Sequence, residues 1–161
     1  MKRTTLVLLL AGCGAEAPYA SAAIVNIEAS LASGHMHGTL TIEETADGVR
    51  IYGELDALVP VNHGLHVFAG ECNGAHLNPD GKRHGGLADA ESHAGDLGNI
   101  AVGEDRIGRV DITTSKLKFD DGERGVLGRK IGVSRSPDDL MTDPDGGSLD
   151  TIACGTIELR E

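Results

Sequence analysis

Four side chains in one glycine-rich stretch make up a complete ligand set for a metal ion. His76, His84, His93 and Asp96 follow one another at spacings of eight, nine and three residues. Three imidazoles and a carboxylate are a donor set that tetrahedral zinc takes. Four protein ligands leave no open position, so such a site is structural rather than catalytic. None of the spacings is the i, i+4 interval that sets two ligands on one helix face. The stretch also carries Gly74, Gly81, Gly85, Gly86, Gly95, Gly98 and Pro79, the mark of a loop. A long loop without regular structure needs something to order it, and a metal cross-link is one answer. By residue type alone, three loop histidines are more often solvated side chains than ligands, and both readings stand at this point.

A second histidine pattern lies upstream. His35 and His37 flank Met36 between Gly34 and Gly38. Residues i and i+2 of a strand share a face. The triplet therefore reads either as exposed histidines at a hairpin or as a small copper site.

The elements that must position these groups are strands. About 140 residues follow position 22, enough for one domain with a full core. Aromatics are limited to Tyr19, Tyr52, Phe68 and Phe119, with no tryptophan, so the core is built from Val, Ile, Leu and Ala. Apolar residues alternate with period two in Leu40-Thr41-Ile42-Glu43, Ile51-Tyr52-Gly53-Glu54-Leu55 and Ile157-Glu158-Leu159. Turn signals at Ala46-Asp47-Gly48, Gly103-Glu104-Asp105 and Asp120-Asp121-Gly122 separate the runs. The pattern predicts about eight strands, near 23–30, 38–44, 49–57, 63–69, 98–103, 107–114, 126–134 and 153–159, with no helix of any length and no internal repeat. Short strands at this spacing form an antiparallel sandwich or barrel. Two long loops remain, 70–97 and 135–152. The formal net charge of −11 argues against nucleic acid as a partner.

The amino terminus carries its own signals. Met1-Lys2-Arg3 is a short positive region and Leu6-Val7-Leu8-Leu9-Leu10 an apolar core too short to span a bilayer as a helix. Leu10-Ala11-Gly12-Cys13 resembles a bacterial lipoprotein cleavage box. The resemblance implies a signal peptide over 1–12, lipidation of Cys13 and a tether over 13–22, with the folded domain over 23–161. An ordinary signal peptide is the alternative. The expected location is the bacterial cell envelope, periplasmic or at the surface. The membrane is then a partner through the anchor at Cys13.

The runs His66-Val67-Phe68, Cys72, His76 through Gly86 and His93 through Asn99 resemble the metal-binding region of copper/zinc superoxide dismutases. The resemblance covers roughly residues 23–160 and is strongest over 63–99 and 126–140. It implies an all-β, eight-stranded antiparallel Greek-key barrel or sandwich whose two long loops are the zinc-binding and electrostatic loops. It makes His76, His84, His93 and Asp96 zinc ligands, with His76 also facing copper. Asp138, in Pro137-Asp138-Asp139-Leu140, matches the aspartate that ties a zinc-ligand histidine to a copper-ligand histidine, a partner that fixes tautomer and orientation. His63 matches a position with a packing and hydrogen-bonding role. Cys72 and Cys154 stand where the family has its disulfide, which requires an oxidising compartment and agrees with an exported protein.

The copper half departs from the family. There, copper is held by a His-x-His pair, the bridging histidine and a later histidine. His66 matches the first of the pair and His76 the bridge, while the other two positions fall on Phe68 and Ser134. Phenylalanine cannot ligate, and neutral serine is a poor copper ligand. The family's anion-guiding arginine, three residues before its last cysteine, falls on Thr151. Steering of superoxide, for which this family is a standard example, needs local positive charge. Removing Lys2 and Arg3 with a signal peptide takes the chain to −13, twelve basic residues against 25 acidic. The expected protein is a zinc-binding, dismutase-like envelope lipoprotein without dismutase activity. Zinc is its expected cofactor, and copper is left with only the residual pair His66 and His76. Two other readings remain open: an active superoxide dismutase with unusual copper ligation, and a copper-binding or delivery module using His66, His76 and the His35-Met36-His37 triplet.

Overall fold

The computed structural model describes residues 22–31, 34–148 and 150–160. The signal-peptide segment 1–12 and Cys13 lie outside the described residues. Ala22, assigned above to the tether, opens the first strand. The strands are β1 (Ala22–Leu31), β2 (Gly34–Glu44), β3 (Val49–Asp56), β4 (His63–Phe68), β5 (Asp96–Ile100), β6 (Gly108–Thr114), β7 (Lys130–Ser134), β8 (Thr151–Thr156) and the two-residue β9 (Glu158–Leu159). The alternation read in the sequence is realised directly in β3. Val49, Ile51 and Leu55 are fully buried, while Arg50 and Tyr52 between them are not.

All strand pairs are antiparallel, and neighbours run β5-β4-β7-β8-β1-β2-β3-β6, with β9 on β1. A single bridge, Val102 to Gly108, joins the chain after β5 to β6 and closes the sheet on itself. Among the described residues that bridge covers only the start of β6. The connections β3 to β4 and β6 to β7 each pass over two strands, which is the Greek key. Val, Ile and Leu from β1 to β7 meet inside with Ala153 of β8. The all-β, eight-stranded barrel expected above is therefore the fold, with β9 as a short appendix.

Several boundaries differ from the sequence expectation. The strand placed at 126–134 starts only at Lys130. Val126 is fully buried, but the backbone turns there, with the Arg129 amide donating to the Val126 carbonyl at 3.1 Å. The Arg129 guanidinium holds that turn through the carbonyls of Gly125 (2.7 Å) and Ala69 (2.9 Å). The final run at 153–159 is split at Ile157. Its amide donates to the Arg129 carbonyl (2.8 Å) and its carbonyl accepts from Gly128 (2.9 Å), while its side chain enters the core. The strand expected at 98–103 lies at Asp96–Ile100, because Asp96 is drawn into the metal cluster described below.

The β2 strand begins four residues earlier than expected, at Gly34, and this decides the His-Met-His triplet. Met36 is 1% exposed and belongs to the core, whereas His37 is exposed with Nε2 3.7 Å from Asp56. Alternation puts the thioether inside the barrel and the His37 imidazole outside, so the three residues do not form one ligand set. The side chain of His35 lies outside the described residues.

Candidate metal centre

Two loops, 69–95 and 135–150, follow the neighbouring antiparallel strands β4 and β7 and leave them from opposite ends. The first is pinned to β4 by backbone bonds: Leu77 donates to Val67 (2.8 Å), Gly95 to Leu77 (2.9 Å) and Val67 to Gly95 (2.9 Å). Gly95 is required there, since a Cβ would meet the Val67 carbonyl oxygen at 2.2 Å. This clamp brings His76, next to Leu77, up to Asp96, next to Gly95. A disulfide, Cys72–Cys154, ties the start of the same loop to β8 across a Cα–Cα distance of 6.2 Å.

His76, His84, His93 and Asp96 are all buried and their ligand atoms converge. The Nδ1 atoms of His76, His84 and His93 lie 2.9, 3.2 and 3.2 Å from one oxygen, Asp96 Oδ1. An ion with ligands at zinc's distances sits in a tetrahedron whose edges are about 3.3 Å. The observed separations are within a few tenths of an ångström of that edge. The His84 contact also has a distance without a hydrogen bond, since Nδ1 is buried and lacks a partner of bonding geometry. A shared centre between the atoms accounts for both facts, so the donor set fits a tetrahedral ion. The other Asp96 oxygen accepts the amides of Gly85 (3.0 Å) and His93 (3.1 Å), which aims Oδ1 at the imidazoles. Burial alone would raise the Asp96 carboxyl, but the imidazoles around it outweigh burial and hold it well below the usual carboxylate range.

Asp138 links this cluster to the next histidine. One oxygen accepts His84 Nε2 and the other His66 Nε2, each at 2.8 Å, so His66, His84 and Asp138 form a second close group that shares His84. Burial pulls His84 down, but the two carboxylates on its opposite nitrogens prevail and it is pushed up to about 10. Burial dominates at His66 and keeps it below its ordinary value. His66 stacks on His76 with ring centroids 3.9 Å apart, and its Nδ1 is buried without a partner.

Two further residues hold Asp138 and were not singled out from the sequence for this. Asn99 exchanges two 2.8 Å bonds with the Asp138 backbone. Gly146 packs so close that a Cβ would meet Asp138 Oδ1 at 1.9 Å, and its φ of 65° also favours glycine. The Gly146-Gly147 pair was the only local sign of that close approach. His63, read as structural, has both ring nitrogens on backbone carbonyls, Ser134 at 2.8 Å and Val59 at 3.0 Å.

The profile of the copper/zinc superoxide dismutase (SODC) family matches residues 36–157. Copper–zinc superoxide dismutase A of Xenopus laevis is 36% identical over 139 residues, spanning 78% of this chain and 91% of that relative. The chain belongs to the copper/zinc superoxide dismutase family. Its fold is also that of the crystal structure of the clock protein EA4, with a TM-score of 0.76 at 29% identity over 88% of this chain and 96% of that one.

The sequence expectation places the family's other copper ligands and its guiding arginine on Phe68, Ser134 and Thr151. Phe68 ends β4, Ser134 ends β7 and Thr151 opens β8. Ser134 and Thr151 are cross-strand partners, and Phe68 meets the His76 ring edge-on at 5.8 Å. All three line one cavity of about 40 Å³ together with His76, Asn73, Gly74, Asp145 and Ser148. The nitrogen donors adjoining this region are His66 and His76.

Proposed function

We propose that this domain is a zinc-stabilised, dismutase-like protein that does not dismutate superoxide, carried on a membrane of the bacterial cell envelope by a lipid on Cys13. One observation carries the loss of activity. Phe68, Ser134 and Thr151, far apart in the chain, line a single cavity beside His76. Two of these positions withhold nitrogen donors and the third withholds the anion-guiding charge, so all three act on one function. The remaining pair, His66 and His76, does not fit the four-imidazole set of a copper ion that cycles between oxidation states.

The chain's own groups divide the work of a structural site. His76, His84, His93 and Asp96 would hold zinc, and zinc would supply a closed cross-link that orders the 69–95 loop. Asp138 fixes Nε2 of His84 and leaves Nδ1 for the ion, and Cys72–Cys154 fastens the loop to β8. The disulfide suits an oxidising compartment and thereby supports export. Support for the anchor comes from the Leu10-Ala11-Gly12-Cys13 box. Lipidation with two or more chains gives stable attachment where one is marginal.

The copper-carrier reading is favoured by one specific observation, the buried and unpartnered Nδ1 of His66 beside the His76 ring. Metal analysis of purified protein after copper loading, run beside a dismutase assay, separates the readings. We expect about one zinc per chain, little copper and no turnover. Stoichiometric copper without turnover would favour the carrier, and fast copper-dependent dismutation would overturn the proposal. For the anchor, Cys13→Ser should release soluble protein, and wild-type protein lacking acyl chains by mass spectrometry would refute it.

A further inference from the structure

The last residues of β6 open onto a cleft of about 500 Å³, a size within the roughly 300–1,000 Å³ of small-molecule sites. β6 pairs with β3 along one side, and on its other side the bridge at Gly108 leaves the far end without a strand partner among the described residues. Where the strand ends, Thr113, Thr114 and Ser115 bring three hydroxyls to the lining. Leu87, Ala88 and Ala90 of the 69–95 loop bring an apolar wall. Lys116 and Arg124 are the only formally charged groups of the lining, so a positive cleft stands in a chain of net charge −11. A cleft lined by one sign of charge concentrates ions of the other.

The two cations are held in place and not neutralised within the cleft. Lys116 is half-buried, and its Nζ donates to Ser92 Oγ at 2.5 Å and to the Gly86 carbonyl at 3.3 Å. An ammonium has three donors, so one is left for a ligand. Among the described residues no carboxylate forms an ion pair with it. Asp89 is taken by Arg83 at 2.7 Å and Asp80 by Arg124. Burial pushes the Lys116 ammonium below the ordinary lysine value, against the pull of Asp96 and Asp89. A cation drawn away from water without a paired charge is costly, and an anion in the cleft would offset that cost. Arg124 also donates to the Lys116 carbonyl at 3.2 Å, which keeps its guanidinium beside the lysine.

The donors select the kind of anion. A phosphate monoester carries about two negative charges near neutral pH and three strong acceptor oxygens. Lysine, arginine and hydroxyls all recognise such a group. A carboxylate offers one charge and two oxygens to the same donors. We propose that this cleft binds a small organic phosphate monoester, with the phosphate on Lys116, Arg124 and the hydroxyls and the organic group against Leu87, Ala88 and Ala90. The inference goes beyond the zinc-stabilised reading above and uses no residue of the metal cluster or of the cavity beside His76.

The test titrates phenyl phosphate, inorganic phosphate and benzoate into the purified protein as isolated, by calorimetry and amide NMR at pH 7. Phenyl phosphate should bind one to one and shift the amides of Thr113 to Lys116 and of Leu87 to Ala90. Inorganic phosphate, without the apolar contact, should bind more weakly, and benzoate at least tenfold more weakly than phenyl phosphate. Lys116→Gln keeps an amide donor for Ser92 and removes the charge, and should weaken phenyl phosphate about tenfold, the scale of one bond to a charged group. Ser115→Glu places a carboxylate at an exposed position of the same lining and should abolish binding. Should Lys116→Gln fail to fold, Ser115→Glu decides alone. No binding up to millimolar phenyl phosphate, binding indifferent to Ser115→Glu, or shifts centred on Asn73 and Thr151 instead would overturn the inference. Benzoate as tight as phenyl phosphate would overturn the choice of ligand and with it the proposal.

Discussion

Replacing Asp138 by asparagine tests how the two histidine groups are coupled. The aspartate accepts from His84 Nε2 and His66 Nε2, one on each oxygen at 2.8 Å. Asparagine has one acceptor and one amide donor, so only one imidazole keeps its bond as donor. The other must carry its proton on Nδ1 and accept from the amide. His84 cannot do so while Nδ1 holds a metal, but His66 Nδ1 has no partner and can take the proton. The variant should therefore keep the His84 bond and switch the tautomer of His66. What is lost at His84 is the strengthening by charge. A bond to a charged group contributes about 1.5–3 kcal/mol against about 1 for a neutral one, so the loss is roughly 0.5–2 kcal/mol, centred near 1.3. That is about tenfold in zinc affinity, the mild end of what outer partners of metal ligands cost. Asp138→Leu strands both imidazole N–H groups at a buried site, each costing about 1–3 kcal/mol, and should lose about a hundredfold or more. The assay is competition against a chromogenic zinc chelator at neutral pH, with ring-nitrogen NMR reporting the His66 tautomer. Affinity of Asp138→Asn within twofold of wild type, equal losses for Asn and Leu, or an unchanged His66 tautomer would refute the reasoning.

Further outcomes follow from the same geometry. Replacing Cys72 and Cys154 by alanine frees a closure of 82 residues, which the chain-entropy model values at about 4.5 kcal/mol. Calorimetry should show a fall in Tm of about 15 °C for a domain of this size, and an unchanged Tm would contradict it. In chelator-treated protein, the raised His84 contributes stability that is fully present below about pH 6.5 and is lost as pH rises toward about 10. The lowered His66 acts oppositely and costs stability as pH falls below about 6.5. The lowered Asp96 and Asp138 add a further loss below about pH 4. Tm of the stripped protein should peak near pH 6.5, and a steady rise to pH 9 would show the signs to be wrong. The triple change Phe68→His, Ser134→His, Thr151→Arg should raise copper affinity and dismutation together, and Phe68→His alone should do little. Phe68 is 2% exposed, so folding must be checked beside activity, and a folded triple variant that binds copper without turnover would show that other losses matter.

The sequence by itself determined what local pattern controls. Period-two runs became strands because a residue's face in a strand depends only on parity, and Ile51 and Leu55 are inside as their alternation requires. The four side chains of the buried cluster were legible because they lie within 21 residues of one another in a loop with no competing regular structure. The resemblance to the dismutase family then supplied the disulfide and the bridging place of Asp138, which no spacing could have given. Tertiary structure decided the rest. Strand ends shifted where long-range bonds prevailed over local preference, as at Val126 and at Ile157, where Arg129 and Gly128 take the backbone out of the β ladder. The face of Met36 was settled by how far the β1–β2 pairing extends. Register between distant strands brought Phe68, Ser134 and Thr151 onto one cavity with Asp145, a residue without any signal of its own. Such meetings depend on the closure of the barrel, a non-local event, and so the charge of that cavity is readable only once the chain is folded.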